Sequence, residues 1–333
     1  MGAEGLQAGF TRGRFAPSTT GHAHPGTLLA GLLCWLDARS RGAQVELRLE
    51  DLDGSRARPE FIAAMPGDLA WLGLDWDDVS RQSEHRSRYE AVLESLVEQG
   101  RVYACDCSRA RIREAGLRAP DGSYRYPGSC RANRVSRDEW RAVEEPLRLR
   151  WDEVVVELMD ESGADLSGDP AALFGDPLLK RRDGAFSYHF ASVVDDAASG
   201  VDRVVRGRDL APSTTLQVGL QQVLGYPTPS YRHHCLLLES VGAKLSKLHG
   251  AVDVRELRGC YEADELCGLL ASFVGLVPPG RRCRPADLAE SFRWEDVRKE
   301  DVPLSWSASE GLSLDVRRAT GEPSPSLVSA RDE

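Results

Sequence analysis

The feature that most constrains this chain is an alternation of strand-like and helix-like segments. Gln44 to Glu50, QVELRLE, alternates polar and apolar residues at period two and reads as a strand. On one side of it, Thr27 to Arg39 is a long apolar run that reads as a buried helix. On the other, Pro59 to Gly73 reads as a helix with proline at its start. Gly9 to Phe15 reads as a weaker strand, Ser87 to Glu98 as a further helix, and Val102 to Ala104 as a short strand. Strands that alternate with helices predict an α/β chain with a parallel, doubly wound sheet.

The alternation breaks between about Cys105 and Gly175, where a cysteine cluster, an arginine-rich loop and two apolar segments (Leu147 to Trp151, Val154 to Met159) intervene. We read 105–175 as an insertion between a first half at 9–104 and a second half at 176–250. Alternation resumes with Ser187 to Val194, Arg203 to Arg206, a helix from Ser213 to Leu224, and Tyr231 to Glu239. Residues 251–315 read as a mainly helical C-terminal region. The Pro/Ser-rich stretch 316–333 is expected to be disordered.

Composition removes several classes. The formal net charge of −10 argues against a protein that coats nucleic acid by bulk charge, while leaving room for a local basic groove. The apolar run from Thr27 to Leu36 is interrupted by Asp37 and is too short to span a bilayer. With no secretory signal in view, the chain is expected in the reducing cytoplasm and away from membranes, where clustered cysteines point to metal or catalysis before disulfides. A monomer is expected.

Two units carry chemistry. The first is GRFAPSTTGHAHPGTLLAGLLCWL, a strand, a turn with Gly21 and Gly26, then an apolar helix. A helix N-terminus offers unpaired N–H groups and partial positive charge, which suits phosphate, and histidines there can donate to phosphate oxygens. The plainer reading is a strand-to-helix connection with two solvent histidines. The second unit is Gly242-Ala-Lys-Leu-Ser-Lys-Leu-His-Gly250. Lys244 and Lys247 are two of only four lysines among 42 basic residues, so something there selects ammonium over guanidinium. Two ammonium groups and a hydroxyl between glycines can clamp a triphosphate, although surface loops are also where lysines ordinarily sit.

The first unit resembles the HIGH motif of class I aminoacyl-tRNA synthetases, as His24-Pro25-Gly26-Thr27, and the second resembles their KMSKS loop, as Lys244 to Leu248. They stand in the family's order, about 220 residues apart. RFAPS (Arg14 to Ser18), RLEDLD (Arg48 to Asp53), YHFASVVDD (Tyr188 to Asp196) and VVRGRDL (Val204 to Leu210) resemble the glutamyl/glutaminyl branch. Only about 83 residues follow the lysine loop, too few for that branch's anticodon-binding region. This and the shape of the cysteine cluster resemble the glutamyl-Q tRNA(Asp) synthetases, truncated paralogues of glutamyl-tRNA synthetase. Pro25, Thr19 and His22 depart from that pattern.

The resemblance implies a Rossmann-type catalytic domain that uses ATP with Mg²⁺ to activate L-glutamate without tRNA. The glutamyl group would then pass to the queuosine base in the anticodon of tRNA(Asp). It implies His24, Lys244 and Lys247 as catalytic residues, with His24, Gly26, Thr27 and Lys247 on ATP. Arg14, Phe15, Ala16, Pro17 and Ser18 would line the glutamate pocket, Glu50 would face the ammonium, and Tyr188 and Arg206 would complete it. An internal Glu50–Arg206 ion pair is the plainer alternative. The same likeness implies one structural Zn²⁺ held by Cys105, Cys107, Tyr126 and Cys130. From the residues alone three thiolates are clear, and Tyr124, Asp106 or water could be the fourth ligand. Arg109, Arg111, Arg113, Arg118, Arg125, Arg131 and Arg134 give this segment a basic excess suited to RNA or to solvent. Two other functions fit the chain less well, a shortened glutamyl-tRNA synthetase charging a tRNA 3′ end and a non-catalytic zinc-bearing RNA-binding module.

Overall fold

The computed structural model describes residues 10–239, 252–307, 309 and 311–314. Strand β1 (Arg12–Phe15) runs into the turn that leads to α1 (Pro25–Arg39). Helix α1 is apolar on most sides and buries Leu28, Leu29, Leu32, Leu33 and Leu36, which is how an all-round apolar helix finds a place in a large core. Strand β2 (Gln44–Leu49) pairs in parallel with β1, placing Gly13 opposite Val45 and Phe15 opposite Leu47. Helix α2 (Pro59–Leu72) stops at Gly73, whose φ of 97° is the left-handed cap that glycine adopts without strain.

A third strand, β3 (Asp78–Arg81), pairs with the outer edge of β2. After α3 (Arg86–Glu98), the segment Val102–Ala104 is a strand, β4, but it does not join the parallel sheet. It pairs antiparallel with β5 (Leu147–Leu149), which pairs antiparallel with β6 (Leu178–Lys180). The short helices α4 (Arg109–Glu114) and α5 (Pro170–Phe174) lie between these strands in the chain. The apolar stretch from Val154 to Met159 forms an irregular ribbon, with isolated bridges from Val156 to Gly168 and from Met159 to Asp165.

The parallel sheet resumes after α6 (Tyr188–Ala198) with β7 (Arg203–Gly207), then α7 (Thr214–Leu224) and β8 (Ser230–His234). Its order is β3-β2-β1-β7-β8. The chain winds outward from β1 in one direction and then from its other side, so a crevice opens beyond the carboxyl ends of β1 and β7, where open α/β sheets bind ligands. The α/β, doubly wound expectation therefore holds.

The C-terminal region is helical at α8 (Val254–Cys260), α9 (Ala263–Phe273) and α10 (Pro285–Ala289), but it does not stay helical. Strand β10 (Val302–Ser307) forms a hairpin with β11 (Gly311–Leu314) and pairs in parallel with β9 (Leu237–Glu239). Val302, Leu304 and Trp306 share one face of β10, a period-two pattern that the helical reading overlooks. One apolar cluster joins α1, β1, β2 and α2 to α9 and this hairpin. A second joins α3, α6 and α7 to the antiparallel sheet. No helix among the described residues is long and apolar enough to cross a membrane.

Candidate active site

The crevice is built by the residues just past the strand ends. Beyond β1 and β2 the pairing continues for one more step: Ser18 bridges Glu50, Glu50 N–H donates to Pro17 O at 3.1 Å, and Thr19 N–H donates to Glu50 O at 3.1 Å. This fixes the Ala16-Pro17-Ser18 backbone beside Glu50. The Glu50 Oε1 atom is buried and lacks a hydrogen-bond partner. Burial pushes the carboxyl up to about 7, even though Arg14 and Arg48 pull it down.

Arg14 and Arg48, both buried, converge on Asp196 of α6. Arg48 Nη1 lies 2.5 Å from Asp196 Oδ1 and Arg14 Nε lies 3.2 Å from it. Arg48 also donates to Glu46 at 2.8 Å. Burial alone would raise the Asp196 carboxyl, but the two arginines outweigh it and hold the group below its ordinary range. Breaking such a buried pair from one side costs about 3–5 kcal/mol, so Asp196 anchors the pocket floor. Arg48 and Asp196 lie within two of the quoted sequence words, yet sequence reasoning gave them no role. The available signal was that Glu46 and Arg48, two apart in a strand, share one face of it.

Arg206 is buried at the end of β7. Its guanidinium donates to Gln217 Oε1 at 2.7 Å, Thr214 Oγ1 at 2.8 Å and His233 Nε2 at 3.1 Å. These three partners, and Leu210 O at 3.4 Å from Nη2, are uncharged acceptors, and among the described residues no carboxylate lies in ion-pair contact with Arg206. The Glu50–Arg206 ion pair considered above is thus absent. Tyr188 stands at the start of α6, and Glu50, Arg206 and Arg14 are its electrostatic neighbours; burial, then Glu50, raises its hydroxyl above the usual range. Beside it, His189 carries a buried Nδ1 with no partner. Burial, then Arg206, pushes His189 down to about 4, so the ring is neutral at physiological pH. Sequence reasoning missed His189 as a pocket residue.

At the start of α1, His24 is the N-cap. Its Nδ1 accepts from Gly26 N–H at 3.1 Å and Thr27 N–H at 3.3 Å. These two N–H groups therefore serve the His24 ring, and in a neutral ring the proton sits on Nε2. A Cβ on Gly26 would stand 3.0 Å from His24 Cε1, which explains glycine at that position. The nearby His22 packs edge-on against Phe61. Lys244 and Lys247 lie outside the described residues.

The insertion brings three thiols together: the sulfurs of Cys105, Cys107 and Cys130 all lie within 4.8 Å of one another. The Tyr126 hydroxyl accepts from Cys130 N–H at 2.9 Å, while Asp106 Oδ1 lies 3.0 Å from Cys130 Sγ. Tyr124 is engaged elsewhere, under the Arg118 guanidinium at 3.9 Å. Burial would raise the Cys105 thiol, yet hydrogen bonds with Tyr126 and Arg148 outweigh it and hold the thiol below its usual range. Three soft donors with an oxygen donor alongside form a set that suits Zn²⁺. Gly175 (φ 69°) passes so close that a Cβ there would meet Tyr126 O at 2.1 Å. Asp176 then accepts from Tyr103 and Arg131. Of the arginine-rich segment, Arg131 is thus committed internally, while Arg109, Arg111 and Arg113 are exposed on α4.

The fold and this crevice define a class I aminoacyl-tRNA synthetase catalytic domain. The family "tRNA synthetases class I (E and Q), catalytic domain" matches residues 11–307. The chain is 41% identical over 282 residues to the glutamyl-Q tRNA(Asp) synthetase of Nitratidesulfovibrio vulgaris, covering 80% of this chain and 87% of that protein. It is 43% identical over 272 residues to the one from Nocardia farcinica, covering 80% and 85%. The chain belongs to the glutamyl-Q tRNA(Asp) synthetase family. Among solved structures, a glutamate tRNA ligase from Elizabethkingia meningosepticum shares the fold, with a TM-score of 0.71 at 24% identity, over 87% of this chain and 66% of that longer one.

Proposed function

We propose that the protein activates L-glutamate with ATP, without tRNA, and transfers the glutamyl group to the queuosine base in the anticodon of tRNA(Asp). The observation that carries the substrate reading is Arg206, a buried guanidinium held only by neutral groups and facing the Glu50–Tyr188 side of the crevice. A buried cation without an acid is costly, and a substrate carboxylate satisfies it. Glutamine, neutral at that end, would not.

The glutamate α-carboxylate attacks the α-phosphorus of ATP, the bond to the β-phosphate oxygen breaks, and pyrophosphate leaves. A carboxylate is a nucleophile as it stands, so the residues work by positioning and charge stabilisation. Ionised Glu50 takes the substrate ammonium, and Arg14 to Ser18 with Tyr188 shape the pocket. His24 Nε2–H and the start of α1 would take the phosphates, with Lys244 and Lys247 meeting the charge that develops; Mg²⁺, when bound there, would supply further neutralisation of the phosphate charge. A hydroxyl of the queuosine cyclopentenediol then attacks the acyl carbon, the bond from that carbon to the adenylate phosphate oxygen breaks, and AMP leaves with the hydroxyl proton passing to solvent. Cys105, Cys107 and Cys130, with Tyr126 as fourth ligand, would hold a structural Zn²⁺ that fixes the insertion.

The test is pyrophosphate exchange into ATP across a panel of amino acids. Exchange with glutamate alone and without tRNA is expected; its absence sinks the proposal. For the second step, tRNA(Asp) lacking its 3′-terminal adenosine should still be charged, and tRNA(Asp) lacking queuosine should not. The reverse pattern would establish 3′-end charging by a shortened glutamyl-tRNA synthetase.

A further inference from the structure

Arg206 is only as useful as its orientation is fixed, and its Nε–H donates to Nε2 of His233 at 3.1 Å. His233 lies at the end of β8, buried, with its ring stacked on Tyr231 at an interplanar angle of 5°. Its other nitrogen, Nδ1, lies 2.6 Å from Asp160 Oδ2. Asp160 is also buried, and comes from the irregular ribbon of the insertion, 73 residues earlier in the chain. Its carboxylate is itself fixed, accepting from Ser162 N–H at 2.8 Å, from Ser162 Oγ–H at 2.8 Å and from His233 N–H at 3.3 Å.

The hydrogen-bond roles follow from chemistry. Arg206 has no acceptor, so His233 Nε2 must present its lone pair to it. The ring proton is then on Nδ1 and points at the Asp160 carboxylate, which selects that tautomer and stops the ring from flipping. Burial holds His233 in the neutral form despite Asp160, consistent with an acceptor role. Protonation of the ring would set a donor against a donor, and a flip would put a C–H there; either removes the acceptor at Arg206 Nε and leaves the guanidinium held at Nη1 and Nη2 alone.

We propose that Asp160 and His233 are positioning residues that orient Arg206 for the substrate carboxylate, and that the insertion thereby sets glutamate affinity and its discrimination from glutamine. This rests on the reading of Arg206 given under Proposed function. The plainer role for His233 is a core ring stacked on Tyr231, and the two roles differ in what they disturb. A core defect lowers stability and affects both substrates, whereas a loosened Arg206 affects the amino acid alone.

The experiment compares wild type, His233→Ala, His233→Gln, Asp160→Ala and the His233→Ala/Asp160→Ala double variant in glutamate-dependent pyrophosphate exchange. His233→Ala is expected to raise KM for glutamate about tenfold to a hundredfold, the range for losing a hydrogen bond to a charged group, with kcat and the KM for ATP within about threefold. The preference for glutamate over glutamine should fall in step. His233→Gln, whose amide oxygen can accept from Arg206, should recover most of the loss. Asp160→Ala should shift KM the same way by less, and the double variant should be no worse than His233→Ala, because Asp160 acts through the ring. An unchanged glutamate KM in His233→Ala, or equal losses for ATP and glutamate, overturns the inference. Calorimetric titration of glutamate onto the same proteins keeps the two ideas apart. A wild type that binds glutamate but exchanges no pyrophosphate refutes the activity alone, and equal glutamate affinity across the variants refutes the relay alone.

Discussion

Glu50 is a carboxylate placed where ionisation is expensive. Its value rises from an ordinary 4.5 to about 7, with burial as the main cause. Between those values the folded chain binds more protons than the unfolded one, so this group's contribution to stability is lost as pH rises through that window. Glu50→Gln should therefore gain melting temperature relative to wild type between pH 5 and pH 8, read by thermal denaturation at both values. The same substitution should cost at least about tenfold in glutamate KM, by removing the anion that meets the ammonium. Wild-type KM should fall as pH rises from 6 to 8 while the variant stays flat; a parallel pH profile in both would remove Glu50 from the site. Glu50 and Arg206 could be named as candidates because each sits in a word, RLEDLD or VVRGRDL, that resembles the glutamyl/glutaminyl branch. Arg48 with Asp196, and His233 with Asp160, were not. Those pairs are far apart in sequence, and only the fold brings them within hydrogen-bond distance.

Helix α1 and the cysteine-bearing insertion show two ways in which one glycine serves a neighbour. Gly26 makes room for the His24 ring over the helix start, and Gly175 lets the chain cross Tyr126. Gly175→Ala should cost about 2–4 kcal/mol in denaturant unfolding, through positive-φ strain and a backbone clash together. Gly200→Ala is the control: its φ is similar, at 68°, but a Cβ there meets nothing within 4 Å, so about 1 kcal/mol is expected. Equal losses at the two positions would mean that the Tyr126 crossing is unimportant. The helices α1, α2 and α7 were readable from their apolar content, and α3 from the helical spacing of Tyr89, Leu93, Leu96 and Val97. Strand β3 was not, since its four residues are mostly exposed and carry no alternation. The β10–β11 hairpin did carry alternation, and it was absorbed into a run of helical segments just before it.

For the whole molecule, the net charge of −10 is no obstacle to an RNA substrate, because exposed arginines gather on the insertion. The same segment holds the thiol cluster, so metal and basic surface stand or fall together. Metal analysis of the purified protein should find one zinc per chain, lost in Cys130→Ser together with several degrees of melting temperature, since a structural zinc contributes directly to folding. Metal-free wild type with unchanged stability would reject the zinc assignment. Overall architecture was legible from alternation alone, while the antiparallel pairing of β4, β5 and β6 depended on contacts that no local pattern announces. The C-terminal hairpin carries a consequence of its own. Asp301, at its entrance, accepts from Leu236 N–H at 2.8 Å and pairs with Arg208 at 2.5 Å. It thus clips together the exits of β7 and β8, the strands that present Arg206 and His233. A segment that follows the whole parallel sheet in the chain thus ties the ends of two of its strands, so a nascent molecule makes this clip last, after every strand of that sheet has been synthesised.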